Sequence, residues 1–314
     1  MPSQFKLETL ESFTGGLNLR TDQFNLEDNE SPDLLNVLVD PRGGIRMRDG
    51  VDRRNTTALS ADVKGIWALH TDTGTNQLMV NYGTKVAYSA TSNFTDLTGI
   101  TSRTDGSRVY GMTMNNVAYG VSYDKVSFKW DGSSAADLGV TLDGSAGNFP
   151  QAQYVAFWNN FAWTAYTYES STGHKYRVRW SNANDPEKWS ATDFVDIDKG
   201  EHGDYITGLC AMGDRLLIFK SNSVYAIFGF DSDSFQVVTL TDSVGSVPLS
   251  QPVSTPYGVF FWYADQGVFS YNRENFAWIF DKIAPAIEDG RISFASNPQL
   301  AWGNQKVYVS VDWT

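Results

Sequence analysis

The chain has 314 residues, 41% of them hydrophobic, 14% aromatic and 19% charged, with a formal net charge of −12. That apolar fraction excludes disorder and allows a large core, while the single cysteine, Cys210, excludes a disulfide framework and a cysteine-ligated zinc site. The acidic balance argues against a sequence-independent nucleic-acid binder, which needs a basic face. The first ten residues lack the apolar run of a secretory signal, so synthesis in a reducing compartment is expected. The longest nearly apolar stretch, residues 257–264, is far shorter than the roughly 20 residues that span a bilayer, and no membrane-spanning segment is predicted.

In chain order, residues 1–60 precede any repeat and read as a non-propeller N-terminal arm. Ser31 as N-cap and Pro32 at the first helical position predict one short helix of about two turns, before Val37-Leu38-Val39 turns extended. Gly43-Gly44 suits a hairpin turn. Arg42, Arg46, Arg48, Arg53 and Arg54 are the one cationic concentration, broken by Asp49 and Asp52 and without interleaved aromatics. A salt-bridged docking arm fits that pattern better than nucleic-acid recognition.

From residue 61 strand signals dominate, in short aliphatic and aromatic runs such as residues 77–81, 117–121 and 215–219, bounded by Gly, Asn, Asp and Ser. A polar hairpin turn followed by an apolar strand recurs. The turns are read at Asn76-Gln77, Asn115-Asn116, Asn159-Asn160, Gly213-Asp214, Tyr257-Gly258 and Asn304-Gln305, at a mean spacing of about 46 residues. Each unit continues into a second turn and another strand, and several have a strand upstream. Three or four short antiparallel strands at this period predict an all-β fold. It is a β-propeller of about six blades over residues 61–314, because one blade exposes two apolar faces that only its neighbours cover. A pair of β-sandwiches would space the strands less regularly. The aromatic excess fits packing between blades. The sixth unit stops before its outer strands, to be completed by residues 5–10 or left open to a partner.

Catalytic signals are sparse. His70, His174 and His202 have no metal-ligand spacing, and no nucleophile elbow, Walker loop or dinucleotide glycine pattern occurs, so no metal, cofactor or catalytic residue is expected. Residues 185–204 carry Asp185, Glu187, Asp193, Asp196, Asp198, Glu201 and Asp204 against Lys188 and Lys199. The EF-hand positions do not match around residues 196–201, and a solvated acidic loop face is predicted. Residues 181–189 resemble the sialidase aspartate box, with spacing one longer and the glycine missing. A carbohydrate-binding or glycoside-cleaving propeller acting on host surface sugars is the alternative reading.

A family resemblance emerges from the arm. Phe13-Thr14-Gly15-Gly16-Leu17-Asn18, then residues 30–37 (ESPDLLNV), then residues 40–50 (DPRGGIRMRDG) resemble the N-terminus of the tail nozzle, or tail tubular protein B, family of short-tailed bacteriophages. Residues 180–189, 206–209 and 215–225 are similar to the same family. The resemblance implies a non-enzymatic structural virion protein, made in the host cytoplasm and built into the tail. It implies a homo-oligomeric ring, commonly a hexamer, below a head-to-tail adaptor and above tail fibres or tip proteins. Double-stranded DNA would pass through that ring on ejection. An acidic lumen would repel the phosphates and let DNA slide, so Asp185, Glu187, Asp193, Asp196, Asp198, Glu201 and Asp204 are candidate lumen-facing residues. The arm, with Arg42, Gly43, Gly44, Arg46, Arg48, Arg53 and Arg54, is the candidate docking element. Deleting residues 1–50 is expected to leave a folded propeller that no longer enters particles.

Overall fold

The computed structural model describes residues 12–40, 42–48, 50, 55–198, 204–293 and 298–313. Residues 5–10, Arg53, Arg54 and Glu201, which carry several of the expectations above, lie outside the described residues.

The chain opens with a parallel pair, β1 (Gly16–Leu17) and β2 (Glu30–Ser31), and an antiparallel hairpin, β3 (Val37–Val39) and β4 (Ile45–Met47). Five four-stranded antiparallel blades follow. Blade I is β5 (Val63–His70), β6 (Asn76–Tyr82), β7 (Lys85–Ser89) and β8 (Thr95–Asp96). Blade II is β9 (Tyr110–Met114), β10 (Val117–Ser122), β11 (Lys125–Trp130) and β12 (Ala135–Asp137). Blade III is β13 (Gln151–Trp158), β14 (Phe161–Glu169), β15 (Thr172–Trp180) and β16 (Phe194–Asp196). Blade IV is β17 (Ile206–Met212), β18 (Arg215–Lys220), β19 (Val224–Phe228) and β20 (Gln236–Thr241). Blade V is β21 (Val253–Thr255), β22 (Gly258–Tyr263), β23 (Gly267–Tyr271) and β24 (Phe276–Trp278).

Among the described residues a sixth unit holds the hairpin β26 (Gln299–Gly303) and β27 (Lys306–Ser310). The following β28 (Asp312–Trp313) pairs instead with β25 (Ile292–Ser293), just ahead of β26. The fold is therefore the predicted β-propeller, with five full blades and a two-stranded sixth in place of six equal ones. Among the described residues the sixth sheet has two strands, because β28, which follows β27, pairs with β25 and not with β27.

Local sequence explains the repeat. Asn115-Asn116, Asn159-Asn160 and Asn304-Gln305 all take positive φ, between 48° and 65°, as two-residue hairpins with matching twist require. The turn expected at Asn76-Gln77 lies earlier, where Gly74 at φ 84° closes residues 71–75; Asn76 and Gln77 begin β6. In β9, Tyr110, Met112 and Met114 are buried and Gly111 and Thr113 are not, the period of a strand covered more on one face. β17 is buried nearly throughout, as a strand between two blades must be.

Aromatic rings fill the seams, as predicted. Tyr88 meets Trp130 at 4.5 Å between blades I and II, and Phe219 meets Phe261 at 5.0 Å between IV and V. Phe235, just ahead of β20, enters a nest of Trp158, Phe161, Trp163 and Trp180 on blade III, with centroids 4.9 to 6.1 Å away. Polar latches add direction: Trp130 Nε1 donates to Gln77 Oε1 at 2.6 Å and Trp158 Nε1 to the Gly213 carbonyl at 2.9 Å.

No helix forms after Ser31-Pro32. Ser31 Oγ still bonds the Asp33 backbone, accepting from its amide at 3.3 Å and donating to its carbonyl at 2.8 Å, but this is a local turn. Leu35 lies exposed and Asn36 takes φ 56°, so no apolar stripe is buried to stabilise a helix. The α-helix among the described residues is α1 (Ala284–Glu288), which the sequence reading missed.

Candidate functional site

The arm divides into a fastened part and a projecting part. Leu19 enters the core of Trp262, Ile287, Val307 and Val309, tying the arm to blade V and the sixth hairpin. The Leu19 amide donates to the Lys282 carbonyl at 2.8 Å, Lys282 Nζ reaches Glu30 at 2.6 Å, and Arg20 contacts Asp281. Deleting residues 1–50 would therefore strip cover from the propeller as well as remove a docking element.

The projecting part is the β3–β4 hairpin. Val37 faces Met47 and Val39 faces Ile45, so these four share one face, with Leu38 and Arg46 on the other. Met47 is 80% exposed, as is the preceding Leu35. An isolated two-stranded ribbon with both faces wet is marginal alone; here its loop is anchored. The Asp40 amide donates to the Gly44 carbonyl at 2.7 Å and the Phe13 amide to the Gly43 carbonyl at 2.9 Å. Gly43 takes φ 91°, and a Cβ there would sit 2.8 Å from Ser12 Oγ, so glycine is required twice over. Gly44 faces no such demand. Arg42, Arg46 and Arg48 are exposed around this hairpin.

The acidic stretch is not the solvated face that its composition predicts. Glu187 receives Lys129 Nζ at 2.8 Å and Tyr119 Oη at 3.0 Å. Asp196 takes both Arg177 Nε, at 2.8 Å, and Nη2, at 3.0 Å. Asp198 accepts from Tyr225 Oη at 2.9 Å and lies 3.6 Å from the fully buried Lys220, and Asp185 pairs with Lys188 at 3.1 Å. Asp204 is buried and accepts the Ser221 amide at 2.7 Å and Ser223 Oγ at 3.1 Å. Asp193 receives the Thr192 hydroxyl at 3.2 Å. Three of these carboxylates, Glu187, Asp196 and Asp198, are answered by cations from other strands, while Asp193 and Asp204 receive hydroxyl and amide donors.

The same network holds Glu169. Burial works against its ionisation but is outweighed by hydrogen bonds from Arg179 and Thr167 and the charges of Arg179 and Arg177, which hold the carboxyl at about 2. The Arg179 fork is bidentate, with both bonds 2.7 Å, and the ring of Phe194 lies under both guanidiniums. A carboxylate so held stays ionised at neutral pH and cannot act as the general acid of a glycosidase. In the aspartate-box-like turn, Trp189 is fully buried, with Nε1 donating to the Pro186 carbonyl at 2.8 Å. No group of three or more His, Cys, Asp or Glu among the described residues could hold a metal ion, and no described helix is long and apolar enough to cross a membrane. Cys210 is buried, and burial pushes its thiol up to about 12.

The third region is axial. The segment leading into blade V presents the Leu249 carbonyl, at φ 63°, to Arg108 Nη1, two residues ahead of β9, and to Gln299 Nε2 of β26 at 3.0 Å. Arg108 Nη1 also donates to Gln299 Oε1 at 2.9 Å. Leu249 thereby joins the inner strands of blade II and the sixth hairpin across the axis.

No family model and no curated protein matches the chain. Among solved structures it is similar to the computationally designed Ika8 protein, at 10% identity and a TM-score of 0.45, over 80% of this chain and 71% of that one. It is similar to BamB from Moraxella catarrhalis at 12% identity and a TM-score of 0.45, over 79% and 80% of the two chains.

The axial cluster left no trace in the sequence, because leucine is a poor marker of a positive φ and Arg108, Leu249 and Gln299 stand far apart in it. The Glu169 network did leave one: Arg177 and Arg179 at alternate positions of a strand share one face.

Proposed function

We propose that the chain is a structural protein of a bacteriophage tail, assembled as a homo-oligomeric ring, most simply a hexamer, that forms part of the conduit for double-stranded DNA. The observation that carries this is the β3–β4 hairpin, whose apolar face leaves Ile45 and Met47 exposed and Val37 and Val39 half-buried on an anchored ribbon in the very segment that resembles the tail nozzle family. Val37, Val39, Ile45 and Met47 supply a contact stripe, and Arg42, Arg46 and Arg48 around it suit an acidic neighbour. A copy of this chain, at net charge −12, is such a neighbour. A hairpin that docks on a different surface of the next copy makes a heterologous contact, which closes into a ring when the rotation allows. The adaptor above and the fibres or tip proteins below would then meet the two rims.

DNA would run through the centre of the ring of subunits and not along the axis of each propeller, where Arg108, Leu249 and Gln299 meet. Repulsion of the phosphates is then a property of the overall charge of −12 rather than of the ion-paired residues 185–204. No catalytic step is assigned to the chain.

The test is the solution mass of the full chain beside a Leu35→Ser, Met47→Ser variant, by light scattering. Both side chains are 80% exposed, so the variant should keep the thermal stability of the monomer and lose the ring. A variant that still forms the ring would refute the docking role of the hairpin.

A further inference from the structure

The sixth hairpin stops short of β5, and the ring leaves there a cavity of about 360 Å³ between the inner strands of blades I and II and the hairpin. A void of this size is at the small end of ligand sites, and what matters is how it is lined. Ile66, 63% exposed, and Val63, 42% exposed, stand on one wall, with Ala301 on the other. Arg108 and Lys64 bring two positive charges. Among the described residues Arg108 has no carboxylate within ion-pair distance, and Lys64 reaches only the exposed Asp62, at 3.4 Å. Tyr110 also lines the cavity. It is 4% exposed, and its Oη is buried beside the Arg108 guanidinium, which can only donate to it, with no acceptor within hydrogen-bond distance among the described residues. A hydroxyl in that position wants an acceptor, and none of the described lining residues is a carboxylate.

We propose that this cavity binds a small organic carboxylate with an apolar body, its oxygens taken by Arg108 and Tyr110 Oη and its carbon skeleton lying against Ile66 and Ala301. A guanidinium beside a hydroxyl matches a planar carboxylate, and the apolar walls disfavour inorganic phosphate. The site is built in advance. The Leu249 carbonyl and Gln299 Oε1 hold Arg108 Nη1, and Leu249 adopts a φ of 63° to do so. Burial pushes the Tyr110 hydroxyl up to about 12, only partly offset by Arg108, so it remains a donor throughout the neutral range. The carboxylate could belong to a free aliphatic acid or to the last residue of a peptide. This site is independent of any place in a tail.

The experiment titrates the full chain with hexanoate, hexanamide, and a tetrapeptide ending in leucine as its free acid and as its amide, by calorimetry and thermal shift. At least one acid should bind and raise the melting temperature while its matching amide does not. Hexanoate alone would identify a free acid as the source, and the peptide acid alone a chain terminus. Tyr110→Phe should unfold close to the temperature of the unmodified chain without ligand, because the deleted hydroxyl has no acceptor, and should bind the acid about tenfold more weakly. Arg108→Gln should abolish binding, and Arg108→Lys should restore part of it. Equal responses to acids and amides, no response to any of the four, or unchanged acid binding by Tyr110→Phe would each overturn the assignment.

Discussion

Glu169 offers the sharpest energetic test of blade III. Its carboxyl is held at about 2, against an ordinary 4.5, and its side chain is only 11% exposed. The folded chain therefore releases this proton more readily than the unfolded chain does. Stability from the network is complete above the unfolded value, near 4.5, and is lost as pH falls through the folded value, near 2. The displacement corresponds to about 3 kcal/mol at neutral pH. Glu169→Gln keeps the shape but removes the charge that answers Arg179, while Arg177 retains Asp196. Urea unfolding at pH 7 should show the variant destabilised by about 3 kcal/mol. Repeated at steps down to pH 2.5, it should show the two proteins converging, because the wild type alone loses this contribution. A variant as stable as wild type at pH 7, or a gap that stays constant to pH 2.5, would refute the network as a source of stability.

Substitutions at three further positions probe the blades and their seams. Gly111→Ala would place a Cβ 2.3 Å from the Trp67 ring, and should cost about 1–3 kcal/mol in chemical unfolding by forcing blades I and II apart; an unchanged midpoint would mean that this seam is loose. Trp189→Ala should cost about 3–5 kcal/mol, because its indole is fully buried under the turn at residues 181–189; a loss below about 1 kcal/mol would return that turn to the surface-loop class. Asn160 takes φ 64°, so Asn160→Gly should be nearly neutral and Asn160→Val should lower stability by about 1–2 kcal/mol in the same assay. Equal effects of the two would remove the backbone from the explanation.

Much of the propeller was legible because its repeat is written in local chemistry. Asn115-Asn116, Asn159-Asn160 and Asn304-Gln305 are residues suited to φ above zero, and each is followed by an apolar strand. Asn76 misled because asparagine also serves inside strands, here in β6 beside Gln77, which is buried as the acceptor for Trp130. The true turn, closed by Gly74, spans residues 71–75, immediately upstream. The Ser31-Pro32 signal was genuine, but a cap makes a helix only where a stripe can be buried, and Leu35 has nothing to bury against. Residues 185–204 misled more deeply. Counting charges finds seven carboxylates and two lysines, yet Lys129, Arg177 and Lys220, which answer them, come from other strands that the fold alone brings close. The same holds for the axial cluster, where Leu249 meets Arg108 from 141 residues away. Sequence reports what is near in the chain, and ion pairs across a propeller are not.

The proposed role is tested most directly by a symmetry-resolved cryo-EM map of phage particles assembled in the presence of this chain. The proposal predicts a ring of copies around an axial channel, with Val37, Val39, Ile45 and Met47 of each copy buried against its neighbour and the propeller axes lying off the DNA path. Copies placed singly around the tail, with that hairpin face in solvent, would contradict it.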